Sequence, residues 1–192
     1  MRDKILNALD SHKKIFEAIY DLQFIISDIS QICIQALNQG NKIILFGNGG
    51  SASDAQHIAA ELVGRYKKNR RSLPAIAITT DSSALTAISN DFGYDYVFSR
   101  QIESLASSKD IVIGISTSGK SKSVLNGIKK ANEKSCITIG LSGNDGGELK
   151  EVCQKNLIVP SQNTARIQEM HILIGHIICE IIDDYFSDIS KS

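Results

Sequence analysis

The stretch KIILFGNGGSASDAQHIAAELVGRY, residues 42–66, holds a strand, a glycine-rich turn and a helix in direct succession. The run KIILF at 42–46 is continuously apolar after its first residue, which is typical of a strand covered on both faces of a sheet. The turn GNGGSAS follows at once, and a helix is predicted over 53–66. A strand, turn and helix in this order form the repeating unit of a parallel sheet with helices on its faces.

The same unit recurs along the rest of the chain. Further apolar strands are predicted as PAIAIT (74–79), DIVIGIS (110–116), CITIGLS (136–142) and NLIVP (156–160). Helices are predicted from Ser82 or Ser83 to Asn90, over 94–107, over 121–133 and from about Ala165 to Phe186. The predicted fold is therefore α/β, a doubly wound, parallel five-stranded sheet flanked by helices, in one domain over residues 1–192.

A long helical arm precedes the first strand. Apolar residues recur with helical spacing from Ile5 to Ile29, and Gly40 is the first helix-terminating residue, so one helix is predicted over 3–38. A single chain would leave one apolar face of such an arm uncovered. We therefore expect residues 1–39 to pack against other subunits in an oligomer.

The composition excludes several classes of protein. Lysine and arginine balance aspartate and glutamate to a net charge of zero, so nucleic acid is not an expected partner. The longest apolar stretch, at 172–182, is interrupted by Gly175, His176 and Glu180 and is too short to span a membrane. Four cysteines without a C-x-x-C pair, and a polar N-terminus without a signal-peptide core, indicate a cytoplasmic protein.

One basic run, KKNRR at 67–71, stands out against this neutral background. The favoured interpretation is a solvated loop between a helix and a strand. The alternative is a patch that steers a phosphorylated substrate toward a nearby site.

Two turns follow strands at the edge where parallel sheets bind ligands. STSGKS at 116–121 supplies hydroxyl donors and a helix N-terminus, which suits a phosphate, and a helix N-cap with extra serines is the alternative. Because the Walker A pattern is absent, a monophosphate is favoured over a nucleotide triphosphate. GNGGSA at 47–52 matches the dinucleotide pattern G-x-G-x-x-A but lacks an acidic residue about 20 positions later. Its backbone N–H groups with Asn48 and Ser51 are instead predicted to hold sugar hydroxyls or phosphate, and a purely structural turn is the alternative.

Two predicted helices carry possible metal ligands. His57 and Glu61 are four residues apart and share a helix face, while Gln168 and His176 are eight apart on the last helix. Imidazole, carboxylate and amide oxygen together form a plausible ligand set for a divalent transition metal. A metal or acid–base cluster beside a phosphate site indicates a sugar-phosphate active site. His171, which lies between Gln168 and His176, is predicted only to pack or to face the helix surface.

These motifs together resemble the phosphoheptose isomerases of the SIS family of phosphosugar-binding domains. The resemblance covers nearly the whole chain, in FGNGGSASDAQHIAAEL, LPAIAIT, ALTAISNDFGYD, GISTSGKS, LSG.DGG and ARIQEMHI...H. It implies a flavodoxin-like fold and a cytoplasmic homotetramer with active sites completed across subunits. It also implies one zinc ion per subunit, bound by His57, Glu61, Gln168 and His176.

The resemblance further implies roles at the site. Substrate contacts fall on Asn48, Gly49, Gly50, Glu61, Asn90, Asp91, Ser116, Thr117, Ser118, Ser121 and Gln168. Glu61 is the expected base and His176 the expected acid. Ala165 replaces an aspartate that some members have before the R-I-Q-E run, so that position is given no role.

The implied reaction interconverts sedoheptulose 7-phosphate and D-glycero-D-manno-heptose 7-phosphate, the first step toward nucleotide-activated heptose for lipopolysaccharide or capsule. The alternative is a non-catalytic SIS-domain relative that binds the bacterial replication initiator protein. Those relatives lack the acidic residue and the histidine that this chain has at Glu61 and His176, which favours the enzyme.

Overall fold

A computed structural model describes residues 1–189, so the last three residues of the predicted domain, 190–192, lie outside the described part. Its centre is a five-stranded sheet in the order β2-β1-β3-β4-β5, with every neighbouring pair parallel. The strands are β1 (Ile43–Gly47), β2 (Ala75–Ala77), β3 (Ile111–Ser116), β4 (Ile137–Gly143) and β5 (Lys155–Val159). The predicted α/β fold is confirmed, with each strand within three residues of its predicted limits.

Helices cover both faces of the sheet. They are α3 (Gly50–Val63), α4 (Ser82–Phe92), α5 (Val97–Leu105), α6 (Lys122–Glu133), α7 (Leu149–Val152) and α8 (Thr164–Ile189). Apolar residues of α3 and α8 form the core on one face, and those of α5 and α6 form the core on the other. Three predicted limits were wrong: α3 begins inside the glycine-rich turn and ends at Val63 rather than at 66, and the segment 94–107 begins with a 3₁₀ turn, Tyr94–Tyr96.

The N-terminal arm consists of two helices rather than one. Helix α1 (Arg2–Ala18) and helix α2 (Gln23–Asn38) are separated by a 3₁₀ turn, Ile19–Leu22. The tighter winding of the turn rotates the apolar stripe of one half relative to the other. As a result α2 buries apolar residues against α8, whereas α1 has no buried residue along its described length.

Much of the apolar surface of the arm remains uncovered. Leu9 is 61% exposed and Phe24 is 80% exposed. An apolar cavity of about 340 Å³ opens between the arm and α8, lined by residues such as Phe16, Tyr20 and Ile177. The use of the arm between subunits stays a prediction.

The strand order indicates where along the sheet a ligand would bind. The connection from β1 leads to β2 on one side of it, and the connection from β2 crosses back to β3 on the other side of β1. The strand order therefore reverses at β1, and a crevice opens at the carboxyl ends of β1 and β3. Within residues 1–189, each helix is too short or too polar to cross a membrane.

Candidate active site

A cavity of about 170 Å³ lies at the crevice between β1 and β3. It is lined by Asn48, Ser51, Ile115, Ser116, Thr117, Ser118, Ser121 and Gln168. The structure thus brings together the two turns that the sequence assigned to phosphate and sugar. Most of the predicted substrate residues meet here, because both turns follow neighbouring parallel strands.

Glycines let the backbone close around this cavity. Gly119 has φ +65°, and a Cβ there would lie 2.0 Å from the carbonyl oxygen of Gly146, so any side chain is excluded. A Cβ on Gly50 would lie 2.5 Å from Nε2 of Gln168, which places the Gln168 amide directly against the first turn of α3. Gly49, with φ +56°, makes the sharp entry into that helix.

Asn48 organises the hydroxyl groups of the cavity. Its amide nitrogen donates to Oγ of Ser121 at 2.8 Å and to Oγ of Ser123 at 3.0 Å. Its amide oxygen accepts from the Tyr94 hydroxyl at 2.7 Å. Ser123 and Tyr94 were not among the predicted site residues, although Tyr94 lies within the NDFGYD segment of the resemblance.

Asn90 and Asp91 are placed differently from the other predicted substrate residues. They lie at the end of α4, exposed, with the Asn90 amide donating to the Asp91 carboxylate at 2.8 Å. Both are outside the group of residues that lines the cavity. The nearby Tyr94 links this segment to Asn48, but the substrate role of Asn90 and Asp91 stays a prediction.

Helices α3 and α8 bring His57, Glu61 and His176 into one cluster. Their ligand atoms all lie within 4.8 Å of one another. Nε2 of His57 is 3.2 Å from Oε1 of Glu61 and 3.4 Å from Nε2 of His176. Metal–ligand bonds of about 2.0–2.2 Å in a tetrahedral site separate the ligand atoms by about 3.3–3.6 Å. The two separations from His57 are close to this range, and Glu61 and His176 lie within 4.8 Å of each other, so the three side chains could hold a metal ion.

Gln168 lies about two turns before His176 on α8. Its amide packs over Gly50 and lines the cavity. This position suits contact with a substrate, and its role as a metal ligand stays a prediction.

Two further residues adjoin the cluster. The ring of Tyr66 packs against that of His176 with centroids 5.6 Å apart. Asp54 lies one turn before His57, and burial raises the pKa of its carboxyl to about 6, although His57 opposes the shift. Its buried Oδ2 has no hydrogen-bond partner among the described residues. A half-buried carboxyl beside the cluster carried no sequence signal distinct from that of an ordinary helix residue.

Comparison with known proteins identifies the family of the chain. A family model described as SIS domain matches residues 9–143. A phosphoheptose isomerase of a Nitratiruptor species is 57% identical over 187 residues, which is 97% of this chain and 100% of the relative. The chain belongs to the phosphoheptose isomerase family. The resemblance drawn from the sequence motifs is confirmed.

Other members of the phosphoheptose isomerase family are also similar to this chain over nearly its whole length. A phosphoheptose isomerase of Aliarcobacter butzleri is 56% identical over 188 residues, covering 97% of this chain and 100% of the relative. The solved structure of the phosphoheptose isomerase from Neisseria gonorrhoeae superposes with a TM-score of 0.91 at 40% identity, covering 95% of this chain and 98% of that one. The similarity therefore includes both helices that form the cluster.

His171, on the same helix as Gln168 and His176, has the packing role that the sequence predicted. It is fully buried, and its Nε2 donates to the carbonyl oxygen of Ser142 at 3.0 Å. Burial lowers the pKa of the imidazole from 6.5 to about 4, despite the opposing effect of that hydrogen bond. The imidazole is neutral at pH 7 and fastens α8 to the end of β4.

This buried imidazole predicts a pH dependence of stability. Between pH 6.5 and 4 the unfolded chain binds the proton and the folded chain does not, so the free energy of unfolding falls as the pH falls through that window. The loss attributable to His171 is roughly 3 kcal/mol at most. Urea unfolding at pH 7 and pH 4 should show a smaller difference for His171→Gln than for wild type. An equal difference in both proteins would contradict the assignment.

The interpretation of KKNRR as a solvated loop is wrong at Arg70. The Arg70 side chain is 0% exposed and forms an ion pair with Asp183 of α8, Nε to Oδ1 at 2.8 Å. Lys67 and Lys68 do lie at the surface, where they pair with Glu180 and Asp184. The run therefore docks onto α8, and composition alone gave no means to separate its one buried arginine from its exposed neighbours.

Proposed function

We propose that this protein is a phosphoheptose isomerase that interconverts sedoheptulose 7-phosphate and D-glycero-D-manno-heptose 7-phosphate. The observation that carries the proposal is the placement of a hydroxyl-lined cavity and the cluster of His57, Glu61 and His176 along the adjoining helices α3 and α8. Membership of the phosphoheptose isomerase family supplies the substrate class.

The phosphate of the substrate binds in the STSGKS turn. Ser116, Ser118 and Ser121 offer hydroxyl donors, and the N-terminus of α6 points free backbone N–H groups and its dipole at the anion. Asn48 holds Ser121 in position through its amide. The sugar chain then extends past Gly50 and Gln168 toward the cluster.

The cluster holds one zinc ion per subunit, with His57, Glu61 and His176 as ligands and Gln168 as the fourth. Two imidazole nitrogens and one carboxylate oxygen are donors that zinc accepts in catalytic sites. When bound, zinc polarises a sugar oxygen and lowers the cost of the negative charge that develops there.

Glu61 and His176 move the protons of the isomerisation. Glu61 removes the proton from the carbon next to the carbonyl, an enediol forms, and the proton returns to the neighbouring carbon. His176 is the acid that protonates the sugar oxygen on which negative charge develops. Because binding to a metal makes a carboxylate a weaker base, the ligand role and the base role of Glu61 would compete.

Loss of individual hydroxyls should test the phosphate site. Ser116→Ala, Ser118→Ala and Ser121→Ala each remove a hydrogen bond to a charged group, about 1.5–3 kcal/mol. We expect KM to rise by roughly ten- to a hundredfold in each, measured by steady-state kinetics with sedoheptulose 7-phosphate. Lys122→Ala, in the first turn of α6, serves as the control. Unchanged KM in all three serine variants would place the phosphate elsewhere.

The arm assembles the protein into a cytoplasmic homotetramer. The exposed apolar residues of α1 and the 340 Å³ cavity beside α8 are the surfaces that a neighbouring subunit covers. Mass photometry at micromolar concentration should show a tetramer, and deletion of residues 1–38 should give insoluble or inactive protein. A stable monomer of the full chain would contradict the assembly.

The decisive experiment is a direct assay of the isomerisation. Purified protein is incubated with sedoheptulose 7-phosphate, and the sugar phosphates are resolved by NMR. We expect an equilibrium mixture with the heptose 7-phosphate, whose further use is in heptose units of lipopolysaccharide or capsule. Absence of conversion would favour the alternative, a binding protein for the replication initiator, although this chain keeps Glu61 and His176.

A further inference from the structure

The loop between α3 and β2 is tied to α8 by a buried ion pair. Arg70 and Asp183 are 0% and 1% exposed, with Nε of Arg70 donating to Oδ1 of Asp183 at 2.8 Å. The other carboxylate oxygen accepts the backbone N–H groups of Lys67 at 3.0 Å and Lys68 at 2.6 Å. Burial alone would raise the pKa of Asp183, but these N–H groups and the guanidinium hold it below its usual range. The carboxylate therefore stays charged.

The same guanidinium caps the end of α3. Its Nη2 donates to the carbonyl oxygen of Glu61 at 2.9 Å, and its Nη1 donates to that of Leu62 at 2.9 Å. These carbonyls belong to the last turn of α3, where they have no partner within the helix. A cation at a helix C-terminus is also favoured by the helix dipole. Arg70 thus holds the backbone of Glu61, whose side chain is in the cluster.

Asp183 is linked in a similar way to His176. The two residues are seven apart on α8, nearly two turns, and so lie on one face of that helix. The segment that Asp183 holds by its N–H groups begins directly after Tyr66, whose ring packs on His176. Close to the cluster, a Cβ on Gly175 would lie 2.7 Å from Ile58, so α3 and α8 are in close contact there.

We infer that Arg70 and Asp183 are positioning residues that fix α3 and α8 relative to each other, so that the ligand atoms of Glu61 and His176 both lie beside that of His57, at 3.2 Å and 3.4 Å. If α3 and α8 shifted along their axes, the ligand atoms of Glu61 and His176 would move apart although both side chains were still present. Arg70 acts through the Glu61 backbone, and Asp183 acts through the segment that follows Tyr66. The inference rests on the proposed metal site, and its test separates the two.

The chain offers a matched pair of variants. Asp183→Asn removes the buried charge but keeps the shape, and Asp184→Asn makes the same change next to it, where Asp184 forms an exposed ion pair with Lys68. Each metal-free protein is titrated with Zn²⁺ alone against a chromophoric chelator, at a temperature where circular dichroism shows it fully folded. Kinetic constants and unfolding free energies are measured on the same samples.

We expect Asp183→Asn to weaken zinc binding by about 10–100-fold, the range seen when groups that orient metal ligands are lost. We also expect kcat to fall while KM stays within about twofold, because the phosphate cavity is unchanged. Asp184→Asn should match wild type in all three measurements. If Asp183→Asn lowers only the unfolding free energy, with zinc affinity and kcat intact, the residue is merely structural and the inference fails.

Arg70→Lys provides a second variant if Asp183→Asn does not fold. Lysine keeps the charge opposite Asp183 but cannot reach Asp183 and both α3 carbonyls together. A fall in zinc affinity in the folded variant supports the inference, and wild-type affinity contradicts it. Should wild type itself bind no zinc, the metal proposal fails, and the split between kcat and KM in the same variants then decides the positioning role.

Discussion

Glu61→Gln is expected to lower kcat by about 10²–10⁴, the range typical of a general base, with the fold intact. Glutamine keeps the shape of the side chain and can still offer an oxygen to a metal, but it cannot accept the proton. Steady-state kinetics with sedoheptulose 7-phosphate measures the effect. Glu103→Gln is the control, since Glu103 pairs with Arg100 at the surface of α5. Near wild-type kcat in Glu61→Gln would show that another group is the base.

Isotope exchange gives an independent measure of the same step. A carboxylate base shares the proton with solvent, so turnover in heavy water should place deuterium on the carbon next to the new carbonyl. A direct hydride shift would keep the hydrogen within the sugar. Complete absence of deuterium would remove the base role from Glu61 and leave the isomerase assignment intact.

Removing the metal is expected to abolish most of the activity. Purified protein should contain zinc, and chelation should inactivate it until zinc is returned. His57→Ala and His176→Ala should each weaken zinc binding by at least tenfold, since even loss of a group behind a ligand costs about 10–100-fold. His12→Ala is the matched control, because His12 contacts Glu169 on the arm side of α8. Full turnover by metal-free protein would contradict a metal-dependent mechanism.

The sequence predicted those features that depend on local pattern. The apolar strands and the turns that follow them predicted the parallel sheet. Because ligands bind at the carboxyl ends of the strands in such sheets, Asn48 and the STSGKS turn were expected to lie close together. The pair His57 and Glu61 followed from helix spacing. That His176 lies close to this pair was predicted from the chemistry of the residues and from the family resemblance, because spacing within one helix does not show which residues of a second helix lie nearby.

The remaining features depend on tertiary contacts that local pattern does not encode. Arg70 and Lys68 look alike in KKNRR, yet only the fold decides which one is buried against Asp183. Tyr94 reaches Asn48 from 46 residues away. The 3₁₀ turn at Ile19–Leu22 interrupts an apolar periodicity that otherwise continues from α1 into α2.

The lining of the cavity at the β1–β3 crevice has a consequence for selectivity. All eight of the described residues that form it are neutral, so the proposed phosphate site would offer directional hydrogen bonds and a helix dipole, with no lysine or arginine in that described lining. Ionic strength screens pairs of exposed charges far more than enclosed hydrogen bonds. Capture of the sugar phosphate should therefore tolerate salt well, and a tetrahedral oxyanion should be preferred over a planar carboxylate of equal charge.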